Sequence, residues 1–148
     1  MTITHQELEQ RIRSGIPLTA QMDFRVLALT DNSITVRAGA AENINVHGTA
    51  FAGSLYTVCT LALWGLIHSR LPAHAALVMA EGTIRYRKPV VGEIIAHCSI
   101  PAEAMETFLE TVNATGKSRL KAQVYVADQD QNNAVEFTGM VHARLKAD

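Results

Sequence analysis

Two cysteines in 148 residues, Cys59 and Cys98, are too few for a disulfide framework and make no CxxC site. Free thiols of this kind suit a reducing cytosol. Aromatic residues make up only 5% of the chain, which leaves no stacking platform for single-stranded nucleic acid. Charge of one sign is also missing: 13 Lys and Arg against 14 Asp and Glu give a formal net charge of -1. That balance removes any bulk electrostatic case for nucleic acid or a membrane surface. The longest apolar run, around Leu55–Ile67, is broken by Thr57, Thr60 and Gly65 and falls short of the ~20 residues that span a bilayer. Met1-Thr2-Ile3-Thr4-His5-Gln6-Glu7 has neither a basic stretch nor an apolar core, so no signal peptide is expected. The six histidines show no HxxxH spacing, which leaves no metal site to propose. A soluble, cytoplasmic protein is expected.

What is present is an ordinary globular composition, 48% hydrophobic and 18% charged, at a length close to the ~100–150 residues of one domain. A single domain over residues 1–148 is expected. Thr4-His5-Gln6-Glu7 has the form of a capping box, and Leu8 and Ile12 follow at helical spacing. A short leading helix over about 4–14 is therefore predicted, stopped by Gly15 and Pro17. Phe24–Leu29 and Ile34–Ala38 flank a turn-prone Thr30-Asp31-Asn32-Ser33 and read as a hairpin. Leu55, Val58, Leu61, Ala62, Gly65 and Leu66 recur at three- and four-residue steps within a stretch apolar almost all round, predicting a wrapped helix over about 52–69 that ends before Pro72. Leu77–Arg87 and Ile94–Ile100 read as a second pair of strands, and Glu103–Asn113 as a weaker helical or irregular segment closed by Gly116. Leu120, Ala122, Val124 and Val126 alternate with polar neighbours. So do Val135, Phe137, Gly139, Val141, Ala143 and Leu145, as half-buried antiparallel strands require.

The order predicts an α+β domain of the hot-dog type: a curved antiparallel sheet of about six strands wrapped around one long central helix. One such sheet leaves an edge and a helix flank uncovered. Closed two-fold dimers are the commonest remedy, so a homodimer at least is expected.

The most informative residues are Asn45-Val46-His47-Gly48-Thr49-Ala50-Phe51-Ala52-Gly53-Ser54-Leu55-Tyr56. Polar side chains and two glycines precede a very apolar helix. A helix start carries unpaired N–H groups and a partial positive charge, and a glycine there lets a ligand approach the backbone. The Gly53 and Ser54 N–H groups could thus cradle a carbonyl oxygen that becomes an oxyanion. In the plain alternative, Asn45 and Thr49 are loop and cap residues and the glycines serve turns and packing.

This stretch, with Ile84-Arg85-Tyr86-Arg87-Lys88-Pro89-Val90-Val91-Gly92-Glu93 after the helix, resembles the hot-dog thioesterase superfamily over residues 16–145. It most resembles the thioesterase-like domain that bacteria carry alone or fused behind an acetyltransferase-like domain, a branch associated with decarboxylation of malonyl-acyl carrier protein. In the similar phenylacetyl-CoA-type hydrolases a glycine pair opens the helix and a catalytic aspartate follows two turns on. By that resemblance Phe51 takes the place of the histidine of that motif and Thr60 that of the aspartate. No carboxylate lies between Asn43 and Ala80. Hydrolysis wants a base or a nucleophile. Decarboxylation of a malonyl thioester wants donors on the thioester oxygen, where enolate charge develops, and no base.

The resemblance therefore implies a malonyl-ACP decarboxylase that yields acetyl-ACP. Asn45, Gly53, Thr60 and Ser54 would hold the oxygen, His47 would donate the proton, and Phe51 and Thr49 would shape the pocket. No cofactor is implied, since the phosphopantetheine arm arrives with the substrate. Arg85, Arg87 and Lys88, the densest basic cluster, would meet that arm's phosphate or an acidic carrier protein; a solvated strand edge guarded by charge is the alternative. Asn45 could instead form a turn, His47 order the loop, Ser54 cap the helix, and Thr60 bond back to its own helix. Hydrolysis of an acyl-CoA or acyl-ACP is the alternative reaction, and non-catalytic thioester binding a third. Buried cysteines are usually inert, which argues against a covalent role for Cys59.

Overall fold

The computed structural model describes residues 3–146. The leading helix α1 spans His5–Gly15, and the Thr4 side chain accepts a hydrogen bond from the Glu7 N–H at 3.1 Å, one half of the expected capping box. A short helix α2 (Leu18–Gln21), not anticipated from sequence, leads into the hairpin of β1 (Arg25–Leu29) and β2 (Ser33–Ala38). A single 3-10 turn, Ala41–Asn43, and a loop then carry the chain to the central helix α3 (Ala52–Arg70). After it come β3 (Ala75–Tyr86), β4 (Ile94–Ser99), α4 (Ala102–Thr115), β5 (Lys117–Ala127) and β6 (Asn133–Leu145).

The strands form one antiparallel sheet in the order β1-β2-β4-β5-β6-β3. Leu55, Val58, Leu61, Ala62, Leu63, Leu66 and Ile67 of α3 are buried, and the helix packs against every strand from β2 to β6. This is the hot-dog arrangement, and its core is continuous from α1 to β6. Two expectations are corrected. β3 and β4 are not partners: β4 pairs with β2 and β5, while β3 lies at the far edge against β6 alone. Local sequence shows that a segment is a strand, whereas partner choice depends on which edge the long helix leaves exposed. The segment after Pro101 is a full 14-residue helix that buries Met105, Phe108 and Val112 and ends at Gly116 in a left-handed cap.

The two edges of the sheet are treated differently. At β1, helix α1 supplies the missing partners: Glu9 Oε1 accepts from the Val26 N–H at 2.9 Å, His5 Nδ1 donates to the Val26 carbonyl at 3.1 Å, and Arg13 donates to the Phe24 carbonyl at 2.8 Å. Side chains thus close an edge that would otherwise invite another strand. The β3 edge, 12 residues long and exposing Val78, has a single side-chain contact of this kind among the described residues, from the Trp64 indole to the Leu77 carbonyl at 3.0 Å.

Across the inner face, Gly82 and Gly139 face each other on β3 and β6. A side chain at Gly139 would meet the Phe137 ring at 2.7 Å, Met79 Cε at 2.8 Å and a Leu63 methyl at 2.9 Å. Overpacking of this kind costs about 1–3 kcal/mol. Gly139→Ala is expected to lose that amount in urea unfolding, with an unchanged denaturant slope; a neutral variant would mean the inner face is looser than these distances.

Candidate active site

The loop before α3 is built around Asn45. Its Oδ1 accepts from the N–H groups of His47 (2.8 Å) and Thr49 (3.2 Å), and its Nδ2 donates to Thr49 Oγ1 at 2.9 Å. A longer contact of 3.4 Å joins the same nitrogen to the Ala50 carbonyl. The Gly48 N–H donates to the Asn45 carbonyl, and Gly48 sits at φ 81, a conformation that glycine adopts without strain. Asn45 and Thr49 are therefore joined to each other, and in this chain the Asn45 amide organises the loop. His47 lies on its exposed side.

The loop is pinned from three directions. The Ala50 N–H donates to the Val90 carbonyl and the Phe51 N–H to the Asn43 carbonyl, both at 2.8 Å. The Tyr86 hydroxyl donates to the Ala52 carbonyl at 3.0 Å, tying the end of β3 to the first turn of α3. Phe51 is the residue before the helix, has extended backbone angles and offers no capping side chain. Consequently the N–H groups of Ala52, Gly53 and Ser54 have no acceptor among the described residues. Such uncapped donors carry the positive end of the helix dipole. The Phe51 ring, half exposed, folds over Gly53, and a Cβ at that position would lie 2.6 Å from it. Gly53 is thus needed for close packing of the ring on the helix start.

Along the same helix the threonines diverge. Thr57 Oγ1 donates to the Gly53 carbonyl at 2.9 Å. Thr60 does not bond back in this way: its Oγ1 is buried and makes no hydrogen bond among the described residues. An unpaired buried hydroxyl costs about 1–3 kcal/mol, and a group kept at that cost calls for an explanation outside the fold itself. Gly53 and Thr60 are seven residues apart, roughly 10 Å along the helix axis. One copy of the chain therefore does not bring both to the same oxygen.

Of the flanking carboxylates, Asp23 and Glu93 both pair with Arg37, at 3.0 and 2.5 Å, while Glu42 lies over Gly39 without an ion pair among the described residues. The Arg37 guanidinium holds the Asp23 carboxyl below its usual range. Glu81 lies on the outer face of the sheet beside Thr83 and Lys121. The basic cluster is partly neutralised: Arg87 pairs with Glu136 at 3.0 Å, while Arg85 and Lys88 are exposed. A second group of cations, Lys117, Arg119, Lys121 and Arg144, was not singled out from sequence because it assembles from two strands. Strand alternation, which puts all four on the outward phase, was the available signal.

The model of the YiiD_C family, described as "Putative thioesterase (yiiD_Cterm)", matches residues 5–144. The chain belongs to the YiiD_C family. A solved structure described as a "putative thioesterase" from Shewanella oneidensis is 29% identical, with 96% of this chain and 97% of that one covered and a TM-score of 0.80. A protein of unknown function from Chlorobaculum tepidum has the same fold at 23% identity, covering 98% and 99%, with a TM-score of 0.89. A thioesterase from Haemophilus influenzae shares the fold at 10% identity, covering 99% and 95%, with a TM-score of 0.78. YiiD_C membership thus places the chain among thioesterase-like hot-dog proteins. Among the described residues no helix is long and apolar enough to cross a membrane.

Cys59 adjoins Thr60 but is fully buried, and burial pushes its thiol up to about 12, as it does that of Cys98. At pH 8 both are almost wholly protonated and poor nucleophiles. Neither is expected to react with a disulfide reagent at pH 8 until denaturant is added. Rapid labelling of native Cys59 would overturn this and reopen covalent chemistry.

Proposed function

We propose that the protein is a homodimeric enzyme acting on a small acyl thioester, and that its reaction is decarboxylation of malonyl-acyl carrier protein to acetyl-acyl carrier protein. The observation that carries this reading is the pairing of an uncapped helix start with a buried, unpaired Thr60 hydroxyl, beside which Asp23 and Glu93 are both held by Arg37. The substrate's own carboxylate would be repelled by an acidic side chain, and none lies between Asn43 and Ala80. Breakage of the bond to that carboxylate releases CO2 and moves its electron pair toward the thioester carbonyl. The resulting enolate oxygen is stabilised by preplaced donors, the Gly53 and Ser54 N–H groups and the Thr60 hydroxyl. The enolate carbon then takes a proton, with His47 as the candidate donor. Asn45 and Thr49 hold the loop in shape, Phe51 walls the pocket, and the phosphopantetheine arm comes with the substrate.

Dimerisation is part of the proposal. The β1 edge is sealed by α1 and the β3 edge is open. Two copies joined along β3 would bring Thr60 of one toward the helix start of the other, resolving the separation of about 10 Å within one helix. Light scattering should then give twice the mass of 16.1 kDa; a monomer would remove the shared site.

Hydrolysis of the thioester is the second reading, favoured by the family's description. Incubation with malonyl-ACP followed by mass measurement separates the two. Acetyl-ACP supports decarboxylation, whereas free malonate and unloaded carrier support hydrolysis. Thr60→Val is expected to lower turnover ~10²–10³-fold while leaving stability unchanged or higher, because no partner is left unsatisfied. Full turnover in that variant would remove Thr60 from the chemistry.

A further inference from the structure

The outer face of the sheet carries a cationic array that the reaction does not use. Lys117, Arg119 and Lys121 alternate along β5, each exposed. Across the ladder Lys117 faces Arg144 and Arg119 faces His142 on β6. Directly opposed like charges destabilise a sheet, with Cβ atoms only ~4.5–5.5 Å apart. Among the described residues no carboxylate forms an ion pair with any of them, while five other ion pairs are present. Glu81 faces Met140, which separates it from Lys121, and Glu103 borders a neighbouring hollow with Arg119 without pairing. An open hollow of about 760 Å³ lies over the rows, bounded also by Val78 and Thr111.

We propose that this face docks the acidic carrier protein that bears the acyl group, its carboxylates running along a helix. This rests on the acyl-thioester reading above and adds the face on which the carrier protein is held. Three features argue for such a partner. Alternate residues of β5 stand about 6.6–6.8 Å apart, close to the ~6 Å rise between carboxylates four residues apart on a helix. A single phosphate would instead need donors converging on one point, and these side chains start from positions spread over two such steps. In a pair of copies joined antiparallel along β3, the start of one β3 lies beside the end of the other. Ala76 and Val78, in register with Arg144 and His142, belong to that start, and Tyr86 beside the α3 entrance belongs to that end. The array of one copy thus lies toward the end of the joined sheets where its partner's site opens, on the outer face, while the site is on the face that α3 covers.

The test is the double variant Arg119→Glu, Arg144→Glu, assayed with malonyl-ACP and malonyl-CoA, alongside direct titration of apo acyl carrier protein. Arg144→Glu puts an opposite charge across from Lys117, so loss of folding is not its expected effect; circular dichroism checks this, and Arg119→Gln, Arg144→Gln provides a milder second variant. The expected result is at least tenfold weaker carrier-protein binding and a KM for malonyl-ACP raised to match. Turnover and KM with malonyl-CoA should stay within twofold, and wild-type affinity for the carrier should fall steeply with salt. Unchanged carrier affinity would overturn the proposal. So would an equal loss on malonyl-CoA, which would mark a phosphate site, or a loss that follows Arg85→Glu, Lys88→Glu instead. If wild-type protein turns over neither thioester, the function reading fails, and the apo-carrier titration still decides the docking face.

Discussion

Nineteen residues of helix packed against five strands leave α3 only a half-exposed stripe through Thr57, Thr60, Trp64 and His68, and much of the molecule follows from the burial of the rest. Polar side chains along such a helix must find partners inside the protein or be left costly. Ser69 bonds back to the Leu66 carbonyl, Thr57 to Gly53, and the Trp64 indole reaches the Leu77 carbonyl on β3. Thr60 is the exception. The helix meets solvent at its first turn, where the chain supplies no capping side chain and holds a loop around three unpaired N–H groups. Burial of the rod and exposure of its start together concentrate hydrogen-bond donors in one region.

The second consequence is at the edges of the sheet. A curved sheet around one helix does not close, so it ends in two rows of unpaired backbone groups. Side chains of α1 occupy one row, by contacts that join residues 17 to 21 positions apart. The other row remains available along β3. This asymmetry, together with the two turns between Gly53 and Thr60, is why the proposed chemistry is written for a pair of copies. The family description favours hydrolysis of a thioester, and the absence of any carboxylate between Asn43 and Ala80 favours the proposed reaction, which needs no base.

Much of the fold could be read from periodicity. The three- and four-residue recurrence from Leu55 to Leu66 and the alternation of β5 and β6 each follow from burial on one side of a regular element. Pairing was less legible. β3 and β4 are separated by one short turn region, yet they lie three strands apart in the sheet, because pairing is decided by which strands the helix leaves adjacent. The site was legible in part. Gly53 and Ser54 do stand at an open helix start, but Asn45 and Thr49 proved to be joined to each other, and Thr60 proved unpaired. Side-chain hydrogen bonding depends on loop shape, which no spacing rule reports.

By itself the sequence determined what depends on neighbours along the chain: the elements, their buried faces, the turn glycine Gly48, the helix start and the absence of acid near it. These are consequences of local geometry and of hydrophobic burial at a period of 3.6 or 2. Only the tertiary structure decided which edge is sealed, where each carboxylate is spent, and which cations stand unpaired on the outer face. Those depend on distances between residues far apart in the chain, and side-chain chemistry acts only at contact.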